Sequence, residues 1–364
     1  MNKNVNIFSK KKKNIKTKYY RNEIINLNTP NREIFLRNGC PSKANPKFVI
    51  GRGSFGTVFR AQYQGEDVAV KIVRNHKDSE VNSVDNEARI LDWKHKNIIR
   101  ILKIETAFYT NYSLIIMEHL NAHNLFFIIE KISLPLIHRI QISKDVSNGL
   151  YYCHSKGLIH GDIKPQNILL SFHKSSYVCK ICDFGSSSAI NEPKVSNLGT
   201  MRYLSPEVLR NEAMSPSSDM FALGVTMWQM KSAESPYNWI DCNHSVAYKV
   251  VKYDIRPDSG PELVYFDQFL SVPRIQVAKQ NSPFKRRNVT SGKPETPSTP
   301  LKAKPLSGDS IDFQRIFADF SKPSQNLEQS YEKLYKNCWK AVPKERLTAE
   351  KLLVQLNLLI KKLC

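Results

Sequence analysis

Residues 160–170 read HGDIKPQNILL. The stretch follows LYYCHSKGLI, which reads as the end of a buried helix and a short strand, and it runs into apolar residues of its own. Three chemistry-bearing groups lie close together in it: the carboxylate of Asp162, the ammonium of Lys164 and the amide of Asn167. Pro165 stiffens the turn between them. Such a loop is either a solvated connection or a place where chemistry is done. Gly161 adds a second question, because a small residue stands where a large basic one would be unsurprising.

Downstream, DFG at residues 183–185 follows the strand-like VCKIC. Asp183 and Asn167 offer hard oxygen ligands suited to Mg²⁺, which prefers carboxylates and phosphate oxygens. Asp162 has the chemistry to accept a proton from an incoming hydroxyl, and Lys164 to neutralise charge on a transferred phosphoryl group. Upstream, IGRGSFGTV at residues 50–58 places Gly51, Gly53 and Gly56 between strand-like segments, with Val58 close behind. Glycines let the backbone approach phosphates and aim N–H groups at them. The spacing also marks dinucleotide folds, but there it opens a helix inside a parallel βαβ unit. Here TVFRAQY follows, so that reading is disfavoured. The strand-like VAVK ends in Lys71, and Glu87 falls on an expected helix over residues 79–93, beside the apolar face of Val84, Ala88 and Leu91. A strand lysine bridged by a helix glutamate can be held against the α- and β-phosphates of a nucleotide.

The larger organisation is a β-rich part followed by a helical one, an α+β class. FVIGRGSFGTVFRAQYQ, EDVAVKIV, NIIRILKIETAF and SLIIMEHL read as strands; residues 133–157, 217–232, 331–339 and 347–363 read as helices. Between the last two pairs of helices the pattern breaks. Residues 259–326 hold NSPFKRRNVTSGKPETPSTPLKAKPLSGD, too polar to bury a core, and are read as a disordered insertion. Two stretches inside it are less polar, LVYFDQFL and DFQRIFADF. In the second, Phe313, Ile316, Phe317 and Phe320 share one face of a helical turn, either resting on its own domain or docking a partner.

The net charge is +21. Residues 1–37 carry ten Lys/Arg against two Glu, and residues 271–307 carry eight against one, so much of the excess sits in two appendages. Residues 1–46 are read as a basic, disordered extension. Its Lys10–Lys13 run is a candidate nuclear-import signal, but aromatics are not interleaved as nucleic-acid stacking needs, and a nucleic-acid partner is not expected. No apolar run approaches the length of a membrane span, and no apolar block follows the basic N-terminus as in a secretory signal. Seven scattered cysteines fit a reducing cytoplasm or nucleus better than a disulfide framework. Cys179 and Cys182 form a CxxC with no second pair, and read as strand residues.

In their order and spacing these motifs resemble the protein kinase family: the Gly-rich loop, the VAVK lysine, the helix glutamate, the HGDIKPQN loop, DFG, and SPE at residues 205–207 where the family has APE. The resemblance covers residues 47–258 and 327–364. It implies a two-lobed fold, a small β-rich lobe over 47–120 and a larger α-helical lobe over 121–364, with MgATP between them. It assigns ATP contacts to Ile50, Gly51, Gly53, Gly56, Val58, Ala69, Lys71 and Glu87. Met117 would be the gatekeeper, with Glu118 to Leu120 as the hinge. Asp162 and Lys164 would be catalytic, Asn167 and Asp183 the magnesium ligands. Asp219 would brace the catalytic loop, and Arg346 would pair with Glu207. His160 is expected to pack beneath that loop.

DIKPQN and Thr200 in GTMRY resemble Ser/Thr kinases. LGTMRYLSPEVL, SDMFALGVTMWQM, SPY followed by VAYKVV and DIRP, and SLIIMEHL together resemble the Mos kinases, germ-cell enzymes that phosphorylate MAP kinase kinases during meiotic maturation. The implied partner is a MAP kinase kinase and the implied state a monomer. The long insertion and basic tail depart from the compact Mos pattern. Two readings compete with this one: a Ser/Thr kinase of another subfamily, and a non-catalytic scaffold, against which stand Lys71, Glu87, Asp162, Asn167 and Asp183, all present. Many kinases carry Arg at the position of Gly161, where it grips an activation-loop phosphate; activity here is therefore expected not to need that phosphate, unless another base such as Arg202 replaces it. Ser282, Thr296 and Thr299 each precede proline and are candidate phosphorylation sites.

Overall fold

β-branched residues alternate along most of the first part of the chain, and the computed structural model gathers them into one sheet. The structure describes residues 25–27, 49–53, 56–74, 83–106, 112–174, 176–191, 199–261, 311–318 and 324–363. They form two units: the described residues up to 122 with 182–185, and the remainder. The first is small and β-rich, the second larger and mainly helical, as expected. The division falls after residue 122 rather than 120, and the DFG stretch belongs to the first unit.

The first unit contains β1 (Ile25–Asn26), β2 (Val49–Gly53), β3 (Gly56–Tyr63), β4 (Glu66–Arg74), β5 (Ile101–Thr106) and β6 (Tyr112–Glu118), in the order β1-β3-β4-β6-β5 with β2 also on β3. Gln64 and Gly65, at φ 53° and 83°, close the β3–β4 hairpin; a two-residue turn with both φ positive matches the twist of the strands it joins. Register sorts the side chains. Val58 opposes Lys71, which opposes Ile115, and Ala69 opposes Met117, so these share one face. The other face carries Phe59, Ala61, Val68, Val70, Ile72, Leu114 and Ile116, all buried in one apolar cluster.

Leu27 joins that cluster at 3% exposure, which corrects the expectation of an unstructured extension over residues 1–46. β2 pairs with β3 only as far as Phe59, leaving the edge of β3 open at Ala61 and Gln62. β1 takes up that edge in parallel, and the Leu27 N–H donates to the Gln62 carbonyl at 2.9 Å. The rest of the extension lies outside the described residues. The helix expected over 79–93 is α1 (Ser83–Ala88): Arg89, Ile90 and Leu91 continue it only as i→i−3 turns, and Asp92 stops it at φ 68°.

The second unit begins with β7 (Ala122–Asn124) and α2 (Leu125–Ile129), which Asn124 caps by accepting the Phe127 N–H. α3 (Leu136–Ser155) packs on α9 (Ala349–Leu363) and on β10 (Ser176–Ile181). β10 pairs with β9 (Ile168–His173), which also pairs with β7, and β8 (Leu158–Ile159) pairs with β11 (Ser188–Ala189). After α4 (Pro206–Leu209) comes α5 (Pro216–Ser232), opened by Pro216 and a Ser215/Ser218 capping box and buried on every side from Ser218 to Met230. α6 (Asn243–Tyr253) and α8 (Gln325–Cys338) follow, with α7 (Phe313–Ile316) between them. α7 lies inside the segment read as a disordered insertion and is a helical turn resting on its own unit. Residues 262–310 and 319–323, including LVYFDQFL, Phe320 and the three proline-directed sites, lie outside the described residues. Among the described residues no helix is long and apolar enough to cross a membrane.

Candidate active site

In the first unit the sheet face described above holds Lys71 at 6% exposure. Its Nζ donates to Glu87 of α1 and, at 2.8 Å, to Oδ1 of Asp183. Burial alone would pull this ammonium down, but the Glu87 and Asp183 carboxylates outweigh it and hold its pKa above the ordinary lysine value. Lys71 is thus a fixed cation. Asp183 sits at φ 65°, a left-handed backbone that a carboxylate side chain tolerates better than most and that is characteristic of functional sites. Asn86, beside Glu87, donates to the Gly185 carbonyl at 2.9 Å and so ties α1 to the DFG stretch; sequence reading passed over it because an asparagine on a helix carries no signal by itself.

Val58, Ala69 and Met117 share the sheet face with Lys71. Ile50 is half-buried at a bulge between Val49 and Gly51. Gly51 and Gly53 lie in β2, and Gly56 opens β3 at φ 149°, where an added Cβ would stand 2.0 Å from the Ile72 carbonyl oxygen. Only glycine fits there. Residues 54–55 lie outside the described set. Glu118 ends β6 with its side chain accepting the Arg100 N–H at 2.8 Å, and Leu120 follows half-buried.

In the second unit the polar loop closes around Asp162, 5% exposed. Oδ1 accepts the Thr200 N–H and hydroxyl, both at 3.0 Å; Oδ2 accepts Lys164 Nζ at 2.6 Å and Asn167 Nδ2 at 3.0 Å. Lys164 also donates to Thr200 Oγ1 at 2.6 Å, and Asn167 Nδ2 to the Asp162 carbonyl at 2.8 Å. Pro165 opens the 3-10 turn Pro165–Asn167 that sets this geometry. The amide nitrogen of Asn167 is thus held on Asp162 from both its carbonyl and its carboxylate.

The loop is braced from below. Asp219, in the first turn of α5 and 1% exposed, accepts the His160 N–H at 2.9 Å, the Gly161 N–H at 2.8 Å and His154 Nε2 at 2.8 Å. Burial raises a carboxyl, yet here the contacts to His154, His160 and Gly161 prevail and hold it below its ordinary value. His160 is fully buried and its Nδ1 accepts the Asp162 N–H at 3.2 Å, the packing role expected of it. Gly161 stands at φ 79°, and an added Cβ would lie 2.7 Å from the Ser186 carbonyl oxygen. The residue is therefore demanded by backbone conformation. Arg202 does not stand in for a base there: its guanidinium donates to the carbonyls of Pro236, Tyr237 and Ile240, each at 2.7 Å, and to Asn243 at 2.8 Å.

Arg346 and Glu207 form a two-pronged pair at 2.7 and 2.8 Å. Arg346 also donates to the carbonyls of Lys340, Ser217 and Ala341, and its guanidinium lies 5.1 Å from the Phe221 ring centre. Burial would raise Glu207, but Arg346 holds it below the usual carboxylate range. Cys179 is buried in β10 and Cys182 half-buried just beyond it.

The description "Protein kinase domain" is that of the family model matching residues 45–356. Among curated relatives, the proto-oncogene serine/threonine-protein kinase mos of Mus musculus is 34% identical over 231 residues, 57% of this chain and 66% of that protein. The serine/threonine-protein kinase mos of Patiria pectinifera is 34% identical over 230 residues, 59% of this chain and 64% of that protein. The match therefore spans just under two thirds of the length of these relatives.

Proposed function

The chain belongs to the protein kinase domain family, and on that premise we propose that it transfers the γ-phosphoryl group of ATP to serine or threonine hydroxyls of a protein, a MAP kinase kinase in the manner of Mos. The observation that carries this reading is the Asp162 network. Both carboxylate oxygens face donors that fix them, and Thr200 and Lys164 close on the same group. A hydroxyl positioned there gives its proton to Asp162 as its oxygen attacks the γ-phosphorus and the bond to the β-phosphate breaks. Lys164 offsets the charge that develops, and Lys71, kept protonated by Glu87 and Asp183, anchors the α- and β-phosphates.

Asp183 in the first unit and Asn167 in the second are the oxygen donors proposed for magnesium, and their chemistry fits a hard cation. When bound with the nucleotide, magnesium neutralises phosphate charge. The serine/threonine assignment rests on Thr200 and Lys164 meeting at Asp162. The substrate assignment rests on the likeness to the mos kinases. A cytoplasmic location, with nuclear entry through the basic run at residues 10–13, belongs to the same proposal.

The test is transfer of label from [γ-³²P]ATP with Mg²⁺ to a kinase-dead MAP kinase kinase, beside the Asp183→Asn variant. Label present with the unaltered chain and absent with the variant is expected. Autophosphorylation without substrate labelling would overturn the substrate assignment. ATP binding without any labelling would move the chain to the scaffold reading.

A further inference from the structure

The end of the insertion is seated on the second unit. α7 carries Phe313, and Phe317 follows just past its end, four residues on and so on the same side of the turn. Asp312 caps α7 by accepting the Arg315 N–H at 3.1 Å. Phe317 is only 4% exposed, whereas Gln314, Arg315 and Ala318 face solvent, so the segment turns one apolar side to the protein.

The receiving surface is aromatic and comes from five elements. Phe313 lies 5.4 Å from His123 of β7, 6.1 Å from Phe127 of α2 and 5.7 Å from Phe172 of β9, centroid to centroid. Phe317 lies 4.9 Å from His138 of α3, 5.3 Å from Tyr177 of β10 and 6.4 Å from Phe172. These are separations at which aromatic pairs attract beyond their simple burial. The groove walls also hold one another. Phe172 and Tyr177 are direct cross-strand partners, His123 stacks on Phe127 at 4.7 Å, and His138 Nδ1 is hydrogen-bonded to the Tyr177 hydroxyl at 2.9 Å. None of these residues belongs to the Asp162 or Lys71 networks.

We propose that this groove is a docking site for a short helical segment bearing aromatics at i and i+4 behind an acidic cap, and that the chain's own residues 311–318 occupy it in cis. Both ends of the insertion are then fixed to the second unit, and residues 262–310, with Ser282, Thr296 and Thr299, run between them. A tethered segment presents itself at an effective concentration of the order of 1 mM. A partner carrying the same pattern therefore reaches the groove only when the cis segment leaves, which makes the groove a point of exchange between the insertion and an external helix. The inference stands apart from the phosphoryl-transfer reading.

The test uses the full chain and a fluorescein-labelled peptide, IDFQRIFADF, read by anisotropy. The unaltered chain is expected not to bind it at micromolar concentration, because the groove is filled. The Phe313→Ala/Phe317→Ala variant is expected to bind it, and adding Phe127→Ala in the groove wall is expected to abolish that binding. Circular dichroism melts establish that each variant is folded. Should the double variant fail to fold, Phe313→Ala alone gives the same comparison, with peptide binding at least about tenfold tighter than to the unaltered chain as the weakened cis segment competes less. Equal binding to unaltered and variant chains, no binding to either, or binding that survives Phe127→Ala would each overturn the proposal.

Discussion

Replacing Asp219 by Asn changes almost nothing in shape and removes one acceptor where the structure uses two. Oδ1 takes the Gly161 N–H, and Oδ2 takes the His160 N–H and His154 Nε2. An asparagine offers a single oxygen, so one of the two backbone N–H groups is left facing an NH₂. An unsatisfied buried donor costs about 1–3 kcal/mol, and the bonds that remain lose about 1 kcal/mol each with the charge. The sum is about 3–5 kcal/mol. At roughly 2–4 °C per kcal/mol for a unit of this size, the melting temperature falls by about 10 °C. The expected pH dependence has a definite sign. The folded pKa of Asp219 lies below its ordinary value of 3.8, so its contribution is fully present above that value and is lost as pH falls through the lower folded one. The gap between the two proteins should therefore narrow below about pH 4. Melting curves of both chains from pH 7 down through that value, followed by circular dichroism, make the measurement. A variant melting within about 2 °C of the unaltered chain at pH 7 would refute the claim that these two N–H groups depend on the carboxylate.

The Glu207–Arg346 pair is buried and fully hydrogen-bonded, so Glu207→Gln or Arg346→Met alone should cost about 3–5 kcal/mol, while the Glu207→Met/Arg346→Met double variant costs less than the sum of the two single changes, with the loss of the Arg346 bonds to the Lys340, Ser217 and Ala341 carbonyls remaining, measured by urea titration of the cycle. Leu27→Asp places a charge in the apolar cluster with Phe59, Val70 and Ile116 and should destabilise the first unit by about 3 kcal/mol, read as earlier proteolysis of that unit; an unchanged digestion pattern would show that β1 adds nothing. Gly161→Ala forces a Cβ against the Ser186 carbonyl at a positive φ and should cost about 1–3 kcal/mol, with turnover reduced at unchanged substrate affinity. Phosphatase treatment of the purified chain should leave its kinase activity intact, since Gly161 has no charge to offer a phosphate and Arg202 is bonded to backbone carbonyls; a large loss restored by rephosphorylation within residues 184–205 would sink that expectation.

What could be read beforehand divides along a physical line. Lys71, Glu87, Asp162, Asn167 and Asp183 stood out because those residue types in that order resemble the kinase motifs, and the structure brings Lys71, Glu87 and Asp183 together in one unit and Asp162 and Asn167 in the other. The strands of the first sheet were legible because β-branched residues alternate over whole turns of the pleat. β1 was not: two residues of pairing and one buried leucine leave no periodicity, and the reason for them lies in β2 stopping short on β3, a fact of tertiary register. α1 was overdrawn because the apolar spacing continues past Ala88, while the left-handed turn at Asp92 that ends it has no strong residue signal. The face of Phe313 and Phe317 was visible, but its receiving groove is assembled from β7, α2, α3, β9 and β10, more than a hundred residues away along the chain. Gly161 belongs to both sides of the line. Its identity was plain and invited an explanation from a missing charge, yet φ 79° and a carbonyl 2.7 Å from where a Cβ would stand supply a second, purely conformational cause. A residue absent for function and a residue excluded by geometry look the same in a sequence. The two are separable here because the Gly161 N–H is one of the donors Asp219 holds: the strain of the position is set by the brace, so weakening that brace with Asp219→Asn should lessen the penalty of Gly161→Ala, a coupling that the missing charge alone would not produce.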